Sequence, residues 1–194
     1  GLMLELERRQ LRDDARRERD LILRTSAFQS WHQSDALRRA GDEAYEREDY
    51  LVAAGLWDRA FLDNQSRSTR FARLWANFAM PALIHRSRAL GLMRSGDFAA
   101  AAPEAELAMH FSPSDADALI AVVNELDRLK RKPEADAFYQ KHSAPYRALC
   151  AAHPGSAQAH NQLAWSEAKC NRDLDDALAH AARAVELDPK NTAC

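Results

Sequence analysis

The stretch from Ser156 to Asn191, SAQAHNQLAWSEAKCNRDLDDALAHAARAVELDPKN, constrains the fold more than any other part of the chain. It reads as two short helices joined by a tight turn. Leu163, Ala164 and Ala168 fall on one face of the first; Ala177, Ala181, Ala184, Val185 and Leu187 fall on one face of the second. Steps of three and four residues are the period of an amphipathic helix, whereas a half-buried strand alternates. The stripe is mostly alanine, and small side chains let two helix backbones approach closely. Asp188-Pro189 ends the second helix, because the proline ring disfavours a helical conformation in the residue before it. A hairpin of this size cannot bury its apolar face alone and needs a similar unit beside it.

The rest of the chain supplies such units. From Ser34 to Asn64, Leu37, Ala40, Gly41 and Ala44 face Ala53, Ala54, Trp57, Ala60 and Phe61 across a turn at Glu48-Asp49-Tyr50. Gly41 stands where the two helices cross most closely. Residues 66–80 read as an inserted helix, after which Pro81 suits the first turn of a new one. Ala82–Ser95 and Phe98–Phe111 form the next pair around Gly96-Asp97-Phe98, with Pro103 near the start of its second helix. In the third pair Leu119, Val122, Val123, Leu126 and Leu129 face Ala135, Phe138, Tyr139, Tyr146 and Leu149, and Pro145 should kink or split the second helix near Ser143. Six glycines and seven prolines in 194 residues leave little turn material for a sandwich or barrel, so the expected class is all-α. The expected division is a charged lead-in helix at 1–32 and a repeat domain at 33–194, with units at 33–64, 81–114, 115–154 and 156–191.

Several function classes are disfavoured. The formal net charge of −2 provides no polycationic field for nucleic acid. No apolar run approaches the length of a membrane span. Cys150, Cys170 and Cys194 are odd in number and lack CxxC spacing, which argues against a disulfide framework or zinc knuckle and favours a reducing, cytoplasmic compartment. Some 14 helical residues between Cys150 and Cys170 would hold the thiols on the order of 20 Å apart, too far for a bridge. The seven histidines show no metal-ligand spacing; His153 and His160, seven residues apart, lack a third ligand. Asp173, Asp175 and Asp176 read as acidic residues complementing a helix dipole. No catalytic constellation and no cofactor motif is present, so the chain is expected not to be an enzyme.

Laid over one another, the pairs resemble the tetratricopeptide repeat (TPR). The Gly-Asp-Tyr-like turn of that family is matched by Glu48-Asp49-Tyr50 and Gly96-Asp97-Phe98, and the alanine that follows by Ala53, Ala101, Ala135 and Ala177. The aromatic four residues further on is Trp57 and Tyr139, but alanine in the other two units, Ala105 and Ala181. Leu187-Asp188-Pro189 closes the last unit. The alanines are 48, 34 and 42 residues apart, where the family repeats at 34. The resemblance implies a right-handed superhelical solenoid of helix-turn-helix repeats, with the first helices lining a concave groove that grips peptides.

By repeat position the groove residues would be Arg38, Asp42 and Tyr45; Arg86, Leu90 and Met93; and Asn161, Trp165 and Lys169. The Lys and Asn set of the family's carboxylate clamp is not reproduced. Between Asn64 and Gly96 the chain carries Arg67, Arg70, Arg73, Arg86, Arg88 and Arg94 with no acidic residue, interleaved with Phe71, Trp75 and Phe78. Arginine suits bidentate capture of carboxylates, so an acidic or C-terminal segment is one expected ligand. The other reading pairs these arginines with neighbouring acids and buries the aromatics. Three functions follow: a non-catalytic scaffold holding an extended peptide or partner subunit, a structural subunit assembling through its C-terminal hairpin and charged N-terminal helix, or an accessory module of a longer protein with a catalytic domain elsewhere.

Overall fold

The computed structural model describes residues 31–65, 70–113 and 116–190, with side chains described for 34–62, 80–113 and 116–190. Among these residues the structure is all-α, without strands. The helices are α1 (Trp31–Glu46), α2 (Tyr50–Gln65), α3 (Arg70–Ser95), α4 (Phe98–Phe111), α5 (Ala116–Arg128), α6 (Lys132–Ala152), α7 (Ala157–Lys169) and α8 (Leu174–Leu187). None of them is long and apolar enough to cross a membrane. The lead-in helix expected at 1–32 lies almost wholly outside the described residues, as do Arg67 and Cys194 and the side chains of Arg70, Phe71, Arg73, Trp75 and Phe78.

Four turns share one backbone geometry. Glu48, Gly96, Lys130 and Asn171 take left-handed φ values of 64°, 84°, 61° and 51°. At each, the next amide reaches back five residues: Asp49 to Ala44, Asp97 to Leu92, Arg131 to Leu126 and Arg172 to Glu167, all at 2.9–3.0 Å. This is the six-to-one bond of a Schellman cap, which satisfies a carbonyl the ending helix leaves orphaned. One turn later the four alanines follow, Ala53, Ala101, Ala135 and Ala177, none more than 5% exposed. Only Gly96 puts glycine, the residue suited to positive φ, at the left-handed position.

The chain divides into two compact units, residues 1–87 and 88–194. In the first, α1 packs on α2 around Ala44, Ala53, Ala54, Trp57 and Ile84. Gly41 is required there: a Cβ at this position would lie 2.4 Å from the Trp57 indole nitrogen. That nitrogen donates to the Arg38 carbonyl at 3.2 Å and to Asp42 at 3.0 Å. In the second unit, contacts run in chain order, α4 on α5, α5 on α6, α6 on α7 and α7 on α8, with α5 also meeting α7. Their common core joins Leu119, Val122, Val123, Tyr139, Tyr146 and Leu163.

Arg172 clamps three parts of this second unit. From the α7–α8 turn its guanidinium forks onto Asp127 at the end of α5 with two 3.0 Å bonds, and reaches Asp136 of α6 at 2.7 Å and the Cys170 carbonyl at 2.6 Å. Glu125 of α5, buried, receives Arg94 at 2.9 Å and Arg128 at 2.6 Å. Burial alone would raise its carboxyl, but the two guanidinium groups outweigh it and hold Glu125 below the usual carboxylate range.

Some local expectations need correction. Residues 70–95 form one helix that passes through Pro81, so the inserted helix at 66–80 and the following helix are not separate. Likewise α6 runs unbroken through Pro145 rather than splitting near Ser143. A proline removes one i→i−4 bond, and here the flanking turns keep their helical path. Ala168, Leu149 and Val185 are exposed, not buried. The latter two lie one residue from the buried Cys150 and Ala184, and a single step turns a helix by about 100°. Cys150 and Cys170 are free thiols, as the reading of the hairpin requires.

Candidate interaction site

The absence of an aromatic ring in the second hairpin has a spatial consequence. Trp57 and Tyr139, four residues past the turn alanine, are 2% and 0% exposed and fill the space between their helices. At the same place α4 carries Ala105, and a cavity of about 320 Å³ opens between α4, α5 and α6. Ala101, Ala105, Val122, Leu126 and Met93 form its apolar wall, with Phe98 and Phe138 also lining it. Ala102, Ala137 and Lys141 at its edge are exposed, so the cavity communicates with solvent.

Local sequence builds this arrangement. Asp97 caps α4 by accepting from the Ala100 amide at 3.0 Å. Pro133 lies in the first turn of α6, where a missing N–H breaks no helical bond. Arg131, at the α5–α6 turn, lays its guanidinium 3.9 Å from the Phe98 ring centre and pairs with Glu134. On the opposite rim Lys141 binds Glu106 at 2.8 Å, and His142 Nε2 lies 3.3 Å from the same oxygen. Burial would raise the Glu106 carboxyl, yet Lys141 and His142 together hold it below its ordinary value. Burial lowers the His142 imidazole, which Glu106 only partly offsets. The rim is therefore charged but internally paired.

Of the nine residues assigned by repeat position, Arg38, Asp42, Tyr45 and Arg86 belong to the first unit and Leu90, Met93, Asn161, Trp165 and Lys169 to the second. Arg38 is exposed and pairs along its own helix with Asp35 at 3.3 Å and Asp42 at 3.0 Å. Tyr45 stacks near Trp57 and Tyr50, at ring separations of 5.6 and 5.1 Å, and Arg86 lies 5.5 Å over it. Arg86 Nε is buried and has no hydrogen-bond partner. Leu90 and Met93 are core residues, 3% and 4% exposed; only Met93 touches the cavity. Asn161 is half-buried, and Trp165 is exposed under the Lys169 ammonium, 4.5 Å from its ring centre. The sequence reading placed Ala105 and Phe138 only in the packing of their hairpins, and alanine at the aromatic position is the signal that points to the cavity.

No protein-family model and no curated protein matches the chain. Three solved structures titled MamA are similar to it. "MamA RS-1 ArsTM double mutant" is 17% identical, with 100% of this chain and 94% of that one covered and a TM-score of 0.49. For "MamA AMB-1 P212121" the values are 16%, 98%, 90% and 0.41. For "MamA MSR-1 C2" they are 15%, 97%, 93% and 0.40. Among the described residues no group of three or more His, Cys, Asp or Glu side chains could hold a metal ion.

Proposed function

We propose that the chain is a non-catalytic interaction module that holds a segment of a partner protein by seating one of its apolar side chains in the α4–α6 cavity. The observation that carries this reading is the cavity itself: about 320 Å³, apolar-walled and open at Ala102 and Ala137, where two other hairpins are filled by a ring. Concave apolar pockets with a few polar groups at the edge are the usual form of a binding site. The rim pairs Glu106–Lys141 and Glu134–Arg131 supply groups for the backbone of an extended peptide. Because these charges are already matched, charge contributes less to selection than the fit of the seated side chain.

Selection of a phage-displayed peptide library tests the reading. Wild-type protein should enrich peptides sharing an apolar anchor, and Ala105→Phe, which fills the cavity, should lose them while retaining its helical circular dichroism. Equal enrichment by wild type and Ala105→Phe overturns the assignment. A second reading, assembly through the last hairpin, is favoured by Leu174, Leu178 and Val185, which are 53%, 73% and 48% exposed on α8. Sedimentation at several concentrations, with Leu178→Glu as the disrupting variant, distinguishes it: a concentration-independent monomer excludes self-assembly by that face.

A further inference from the structure

Glu167 on α7 is among the largest fully buried side chains, 1% exposed. Its Oε1 lies 3.8 Å from Arg147 Nε, beyond hydrogen-bond range, and its Oε2 has no hydrogen-bond partner at all. A buried carboxylate without donors is costly and calls for an explanation. It lines a cavity of about 340 Å³ between α6, α7 and α8, which shares no residue with the α4–α6 cavity.

The surroundings are short of positive charge. Arg147 is the arginine or lysine lining this cavity, and it is already engaged by Asp173 and by the Tyr139 hydroxyl, to which it donates at 3.0 Å. Against it stand Glu167, Asp173 and the exposed Asp176. His160 and His180 meet through their Nδ1 atoms at 2.9 Å, so one of the two rings presents a bare nitrogen to the other. Burial, and then His160, hold His180 below its ordinary value. Burial pushes the Cys150 thiol up, with Glu167 adding to it, so Cys150 brings no charge. For Glu167 itself burial dominates and pushes the carboxyl up to about 7; Arg147 opposes this and Asp173 and Asp176 reinforce it.

We infer that this cavity binds an alkylammonium group, whether a lysine side chain of a partner or a small free amine, with Glu167 as its counter-ion. A compact ammonium offers three freely placed donors to a single orphaned oxygen, whereas a guanidinium fork wants two coplanar acceptors. Ala151, Leu163 and Cys150 supply an apolar wall for the methylene stem. The inference is independent of the peptide-anchoring cavity.

The test titrates n-butylammonium chloride, with n-butanol as the uncharged counterpart, in two buffers of different ionisation enthalpy. Saturable binding at pH 7 should release protons, because burial raises the Glu167 carboxyl and binding an ammonium favours its ionised form. Glu167→Gln should abolish binding with the helical signal retained, and Asp176→Asn on the rim should weaken it severalfold. A blocked lysine amide and its Nε-acetyl form assign the source: lysine amide binding equal to or tighter than butylammonium indicates a partner's lysine, and butylammonium alone indicates a free amine. Equal binding of n-butanol, unchanged affinity in Glu167→Gln, or no saturable binding of either cation at pH 8 overturns the inference.

Discussion

Gly41→Ala should destabilise the α1–α2 hairpin even though alanine is the better helix former. An ideal Cβ at Gly41 would stand 2.4 Å from Trp57 Nε1 and 2.5 Å from Cδ1, so the indole must retreat by about 1 Å to reach ordinary contact. It has little freedom to do so, being 2% exposed and tied by two hydrogen bonds, to the Arg38 carbonyl and to Asp42. Overpacking costs about 1–3 kcal/mol, and a buried donor pulled from its acceptors about 1–3 kcal/mol more. Removing a glycine from a helix interior returns only about 1 kcal/mol. The net loss should be about 1–5 kcal/mol. Gly55 in α2 provides the control, since nothing lies within 4 Å of its Cβ position and the residue is exposed. Gly55→Ala should therefore stabilise by about 0.5–1 kcal/mol. Hydrogen exchange of the α1 and α2 amides, read by mass spectrometry, reports both changes locally. If Gly41→Ala protects these amides as well as Gly55→Ala does, the close-approach argument is wrong.

Lys130→Gly should raise the urea midpoint by the equivalent of about 1 kcal/mol, since a side chain at φ 61° carries a strain that glycine lacks. Glu125 and Glu167 should give pH dependences of opposite sign. Glu125 is depressed when folded, so its contribution is present above the ordinary carboxylate range and is lost as pH falls through the depressed value. Glu125→Gln should accordingly flatten the acid limb of a midpoint-versus-pH curve. Glu167 is raised from 4.5 to about 7, so stability falls as pH rises between those values and the penalty is complete above them. Glu167→Gln should relieve at most roughly 3 kcal/mol at pH 8 and almost nothing at pH 4. Cys170 is 0% exposed and its thiol is pushed up to about 12, chiefly by burial. Its alkylation by iodoacetamide at pH 8 should track unfolding, and rapid labelling of the native protein would contradict the assigned packing.

The all-α class and the hairpin arrangement were legible because they depend on local periodicity and small-residue stripes. The four turn alanines, the crossing at Gly41 and the buried Trp57 and Tyr139 are all positions where side-chain size is dictated by a neighbouring backbone. The cap positions were less visible. Glu48, Lys130 and Asn171 adopt left-handed geometry without being glycine, because the cap's backbone hydrogen bonds over-determine a conformation their own preferences oppose. Pro81 and Pro145 misled for the converse reason: each removes one helical bond, and the turns on either side were sufficient to carry the helix through.

The candidate sites divide along the same line. Ala105 announced a missing ring in the sequence, but whether a missing ring becomes a cavity depends on how closely α4, α5 and α6 converge. Asp173 looked like a dipole-complementing acid; in the fold its carboxylate accepts from the Tyr139 hydroxyl at 3.0 Å and pairs with Arg147. The burial of Glu167 follows from the packing of α6, α7 and α8, which no local pattern in the sequence signals. Sequence alone determined the all-α class, the hairpins at 34–64, 115–153 and 156–191 and the small residues at their crossings, because those follow from interactions within a few residues or across one turn. Burial, orphaned polar atoms and cavity shape were decided only by tertiary structure, because each is a property of the space between elements distant in the chain.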